Sequence, residues 1–101
     1  MKVNFTARHC EVSPALRERA EELMGRIDRK AGRITRAEVI FDSDHDKNIV
    51  EITLQFARGR TKVGKAEADD FRTALDSAVS KIENNLDKTR PGSTRRAVGE
   101  G

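Results

Sequence analysis

The apolar residues change spacing along this chain, alternating in one stretch and recurring every third or fourth residue in the next, and that succession restricts the folds open to it. Val3, Phe5 and Ala7 alternate with Lys2, Asn4 and Thr6, which predicts a half-buried strand ending near Arg8 and His9. "VSPALRERAEELMGRIDRKAG" follows, with Ser13 as helix cap and Pro14 at the first helical position. Leu16, Ala20, Leu23, Met24, Ile27 and Ala31 fall on one face of that helix, and Gly32 is its stop. Alternation returns in "RITRAEVIFD", where Ala37, Val39 and Phe41 share a side, and in "IVEITLQFA", where Val50, Ile52, Leu54 and Phe56 point inward. "SDHDKN" reads as the polar turn between them. "RGRTKVGKAEA" is a weaker fourth strand in which Gly64 and Ala66 imply a close neighbour. A last helix, capped by Asp69 or Asp70, gathers Phe71, Ala74, Leu75, Ala78, Val79, Ile82 and Leu86 in one arc.

The order is therefore β-α-β-β-β-α, an α+β class. Three successive strands joined by short turns predict a meander, and two helices with one apolar face each predict packing on the same face of a four-stranded sheet. The outward strand positions are polar, so the other sheet face is expected to be wet. At 101 residues the chain has the length of a single domain. We expect that domain over residues 1–90, with 91–101 as a flexible basic tail, because "RPGSTRRAVGEG" has no periodicity. Leu16, Leu23, Ile27, Val50, Ile52, Leu54, Leu75 and Ile82 are the expected core.

The formal net charge is +3, but residues 1–87 carry sixteen Lys and Arg against sixteen Asp and Glu. Location thus matters more than total. In the last helix Asp76, Glu83 and Asp87 lie on one side of the polar surface, and Ser77, Lys81, Asn84 and Lys88 on the other. Arg19, Arg26 and Lys30 form a flank of the first helix. More cations collect where elements end: Arg29, Lys30, Arg33 and Arg36; Arg58, Arg60, Lys62 and Lys65; Lys88 and Arg90. Taken singly, each cluster is a solvated surface, with cations near a helix C-terminus favoured by the macrodipole. Taken together they suit phosphates, which Lys and Arg bind without reading bases. Four Phe with no Trp or Tyr argue against base stacking and for structured RNA.

Other chemistry finds little support. Asp42, Asp44 and Asp46 fall at the first, third and fifth positions of a calcium loop, but Lys47 stands where the glycine belongs and Thr53 where the bidentate Glu belongs. His9, Cys10 and His45 lack zinc-ligand spacing. We expect no enzyme, no cofactor, no metal and no small-molecule substrate. A single cysteine, the absence of a long apolar run, and an N-terminal segment unlike a leader predict a cytoplasmic protein that does not enter membranes.

The opening strand running into "ARH", then "EVSPALRERAEELMGRIDR", "VEITLQF" and above all "DDFRTALDSAVSKIENNLDK" resemble the ribosome hibernation-promoting factor and ribosome-associated inhibitor family, in its short form, over about residues 1–90. The last segment carries the family's acidic cap, then Ala, an aliphatic and Asp, then Lys with an aliphatic, and a final Lys. The resemblance implies a four-stranded sheet with two helices on one face, similar to double-stranded RNA-binding domains. It also implies binding to ribosomal RNA of the small subunit in the messenger and transfer RNA channel, where such proteins silence translation and preserve idle ribosomes during starvation. Family-like basic positions are Lys81 and Lys88, the Arg29, Lys30 and Arg33 region, and Arg8 with His9; Asn84 and Asn85 replace charges common in relatives. The expected RNA-contacting set is Arg8, Arg26, Arg29, Lys30, Arg33, Lys81, Lys88 and Arg90. The alternatives are a general double-stranded RNA-binding module and a protein-interaction adaptor.

Overall fold

Ser13 accepts the Leu16 amide on its hydroxyl at 3.1 Å and starts α1 (Pro14–Ala31), whose end is marked by Gly32 at φ 68°. The computed structural model describes residues 1–89, with side chains described as far as Leu86. The other elements are β1 (Lys2–Arg8), β2 (Ile34–Asp44), β3 (Lys47–Phe56), β4 (Thr61–Ala68) and α2 (Phe71–Thr89), in the expected order. Asp70, not Asp69, caps α2, accepting the Thr73 amide at 2.7 Å and the Thr73 hydroxyl at 3.1 Å. The expected residues 91–101 of the tail lie outside the described residues.

The sheet runs β1-β2-β3-β4 in space, with β1 parallel to β2 and the remaining pairs antiparallel. α1 crosses over between the parallel pair and lies against β1 and β2, while α2 lies over β3 and β4. Both helices press one core in which Met24, Ile27, Val39, Phe41, Val50, Ile52, Leu54, Leu75 and Ile82 are almost wholly buried. Each such side chain contributes about 1.5–3 kcal/mol by leaving water. Leu16, expected in the core, is only half-buried at its margin. Phe71 closes the other end with an edge-on contact to Phe41, the ring centroids 5.6 Å apart.

Two boundaries differ from the sequence reading. "SDHDKN" is not a six-residue turn: Ser43 pairs with Asn48 and Asp44 with Lys47, leaving only His45 and Asp46 to reverse the chain. Their φ values of 49° and 66° are both positive, as a type I′ hairpin requires, and His and Asp tolerate that region better than most residues. Likewise β2 begins at Ile34, because Arg33 has φ 61° and turns the chain out of α1.

On the open face of the sheet, Val63 is exposed and Ile40 and Ile49 are half-buried among polar neighbours. The face is wet, as expected, but not uniformly polar. Among the described residues, no helix is long and apolar enough to cross a membrane.

Candidate nucleic-acid interface

The charge sorting of the two helices has a direct structural consequence. Arg19 grips Asp76 with two hydrogen bonds of 3.0 and 3.1 Å, and Arg26 grips Glu83 with two of 2.9 and 3.1 Å. Lys30 stands 3.9 Å from the same Glu83. The cationic flank of α1 therefore meets the acidic flank of α2. Both bidentate pairs join residues 57 positions apart, so the helices run side by side in the same direction and end together.

That parallel arrangement collects the element ends. The C-terminus of α1, the start of β2, the β3–β4 turn and the C-terminal part of α2 lie at one end of the molecule. Ala57 donates its amide to the Arg33 carbonyl at 2.8 Å, and Lys62 donates to Asn85 at 3.3 Å, linking these segments directly. Arg29, Lys30, Arg33, Arg36, Arg58, Arg60 and Lys62 are thereby brought together, and Lys2, the register partner of Arg36, joins them. Among the described residues no carboxylate lies within ion-pairing distance of Arg29, Arg33, Arg36, Arg58 or Arg60. Arg60 instead lies over the Phe56 ring, 5.5 Å from its centroid. The tight turn that presents Arg58 and Arg60 is closed by Phe56 N–H to Arg60 C=O at 2.8 Å and needs Gly59 at φ 85°.

Not every candidate belongs to this end. Arg8 closes β1 at the opposite pole, opposite Asp42 in register and beside the β2–β3 hairpin. There His9 Nδ1 lies 3.1 Å from Asp42, and that hydrogen bond holds the Asp42 carboxyl below its usual range. Arg26 and Lys30 reach the basic end but share Glu83, with Arg26 half-exposed and Glu83 largely covered. Lys81 sits on the flank of α2 that overhangs edge strand β4, donating to the Lys65 carbonyl at 2.7 Å. The Lys88 side chain and Arg90 lie outside the described residues. Arg36, Arg58, Arg60 and Lys62 were visible in the sequence as cations at element ends but were not among the expected contacts. The parity of the order β-α-β-β-β-α is the signal that could have found them, since successive elements run alternately between two poles.

The Cys10 thiol is pushed up by burial and its Sγ lies 3.5 Å from the Phe41 carbonyl, the setting of a small packed side chain. Among the described residues no group of three or more His, Cys, Asp or Glu is placed to hold a metal ion.

Residues 3–91 match the family described as Sigma 54 modulation protein / S30EA ribosomal protein. The chain belongs to this family. The resemblance read from the sequence is to the same family. Its relatives include the ribosome hibernation promoting factor of Azotobacter vinelandii, 32% identical over 100 residues that cover 99% of this chain and 92% of the relative. That of Pseudomonas putida is 33% identical over 88 residues, covering 87% and 85%. Among solved structures, a ribosomal subunit interface protein from Coxiella burnetii superposes with a TM-score of 0.80 at 32% identity, covering 87% of this chain and 96% of that one. The N-terminal domain of Thermus thermophilus Protein Y does so with 0.76 at 25% identity, covering 89% and 100%. The S30EA fold is thus the one built here, a four-stranded mixed sheet under two helices.

Proposed function

We propose that this protein binds the small ribosomal subunit through its ribosomal RNA and silences translation by occupying the channel of messenger and transfer RNA, preserving inactive ribosomes in starvation or stationary phase. The observation that carries this reading is the gathering of Arg29, Arg33, Arg36, Arg58 and Arg60, without carboxylate partners among the described residues, at one end of a rigid platform. Like charges repel one another, and a polyanion that displaces its counterions there removes the cost. Relatives named as ribosome hibernation promoting factors, and a solved neighbour named as a ribosomal subunit interface protein, support the ribosome as the partner.

In this reading the protein acts by position and performs no chemistry. Arg29, Lys30 and Arg33 contact phosphates from the basic end, with Arg58 and Arg60 beside them. Arg26 orients against Glu83 while offering its exposed edge. Lys81 extends the surface along α2, Lys88 and Arg90 are kept as phosphate contacts on the sequence alone, and Arg8 makes a separate contact from the far pole. The protein works in the cytoplasm, where ribosomes are.

Co-sedimentation with small subunits tests the proposal. Arg29→Glu with Arg58→Glu should abolish it at physiological salt and leave thermal unfolding nearly unchanged, because both side chains are exposed. Unaltered sedimentation rejects the basic end as the docking surface. A short RNA duplex in a gel-shift assay separates this reading from a general double-stranded RNA binder, which would retain the duplex.

A further inference from the structure

The open face of the sheet continues from the basic end without a break, and its chemistry is not that of a phosphate surface alone. A shallow depression there is lined by Arg36 and Glu38 of β2 and by Thr53 and Gln55 of β3. Arg36 is in register with Lys2 on one side and Gln55 on the other, and Glu38 with Asn4 and Thr53. Two inner strands supply the depression, so no free backbone edge is on offer to a peptide, and no aromatic or large apolar side chain lines it to hold one.

Glu38 is the informative group. Asp42, Asp44 and Glu51, the other carboxylates on this face of β2 and β3, each have a cation as a register partner, respectively Arg8, Lys47 and Lys65. Glu38 has neutral partners only, and no cation lies within ion-pairing distance of it among the described residues. A carboxylate beside the cationic end weakens phosphate binding, yet it is the right acceptor for the amine edge of a base.

We infer that this depression binds one unpaired guanine of a single-stranded RNA segment, with Glu38 accepting from its N1–H and exocyclic amine, Gln55 and Thr53 bonding the rest of its edge, and Lys2 with Arg36 holding the adjoining phosphate. The inference rests on the reading of RNA as partner and adds a base preference to it. Two residues along a strand advance about 6.8 Å, which leaves Arg36 and Glu38 close enough for one nucleotide to touch both. Guanine presents two neighbouring donors on its Watson–Crick edge, a match to the two oxygens of a carboxylate, and single-stranded RNA leaves that edge accessible.

Fluorescence anisotropy with labelled hexaribonucleotides at low salt tests it, using the full chain and the sequences UUGUUU, UUAUUU and UUIUUU, where inosine lacks the exocyclic amine. The wild type should bind the guanine hexamer about tenfold more tightly than the other two, the discrimination of one good bidentate pair. Glu38→Ala should erase that preference without weakening the adenine hexamer, and Arg36→Gln should weaken all three alike. Equal affinities in the wild type, a guanine preference that survives Glu38→Ala, or no binding of any hexamer overturns the inference. Ribosome co-sedimentation of the same preparations separates the two levels: intact sedimentation with base-blind binding removes only the guanine site, whereas a wild type that fails to sediment removes the proposed function as well.

Discussion

At Gly64 a methyl group would have nowhere to go. A Cβ built there would stand 2.6 Å from Ile82 Cγ1 and 2.7 Å from the Ala78 carbonyl oxygen, so β4 and α2 approach as closely as backbones allow. The side chain could yield, but the helix backbone cannot without tilting α2 off the sheet. Gly64→Ala should therefore cost about 1–3 kcal/mol as overpacking, despite alanine's lower conformational entropy in the unfolded chain. Thermal unfolding should show a midpoint lower by roughly 4–8 °C for each kcal/mol, and an unchanged midpoint would mean that α2 shifts freely. Asp70 has a different role. The Thr73 amide and hydroxyl hold its carboxyl below the ordinary range, so its folded form binds a proton less readily than its unfolded form. The cap's contribution is present above the ordinary carboxyl value of 3.8 and is lost as pH falls through the lower folded value. Asp70→Asn keeps a capping oxygen and removes the titration. Its midpoint should fall less steeply than the wild type's between pH 5 and pH 2, and parallel acid limbs would show that Asp70 does not couple to pH.

Helices α1 and α2 are held in register by what lies beside their apolar stripes. Seven residues separate Arg19 from Arg26, as they do Asp76 from Glu83, so two turns of each helix, about 10 Å, are matched by two bidentate pairs. These pairs specify which neighbour each helix takes more than they stabilise it. The Arg26 side chain is 52% exposed, so a double-mutant cycle with Arg26→Gln and Glu83→Gln should return a coupling of only about 0.2–1 kcal/mol. The swapped variant Arg26→Glu with Glu83→Arg should recover part of what either single reversal loses. A coupling near zero in the cycle would leave the apolar stripes as the sole source of helix register. The same pairing engages Arg19 and Arg26 with carboxylates, so that Arg26 has only the edge left exposed by Glu83 to offer another partner.

Across the described residues, whose longest dimension is 41 Å, the parallel helices point both C-termini toward the basic end. Their carbonyl ends temper the repulsion among the cations by about 0.3–1 kcal/mol for each favourably placed charge. The far pole carries Asp42, Asp44, Asp46, Asp69 and Asp70 with a few cations among them, so a formally neutral body has charged ends. A polyanion would be met by one end first. The two charge reversals proposed for Arg29 and Arg58 should accordingly reduce the dependence of ribosome binding on salt as well as its strength, each lost phosphate contact lowering the log–log slope by about 0.7–0.9. Sedimentation of milder Arg→Gln variants over a salt series measures this, and a slope that stays unchanged would place the contacts elsewhere.

What the sequence determined by itself was local. The apolar period of "ALDSAVSKIENNL" named the buried face of α2 residue by residue, Ser13 and Gly32 delimited α1, and the close approach at Gly64 was legible from a glycine in a strand. Such features follow from neighbours along the chain. The two-residue hairpin is not legible in the same way, because His45 and Asp46 adopt positive φ without the glycine that usually signals it. Only the tertiary structure decided which charges meet. Arg26 finds Glu83 across 57 residues, Arg33 finds the β3–β4 turn, and Arg8 is carried to the opposite pole, because strand order and the parallel course of the helices set distances that no periodicity encodes.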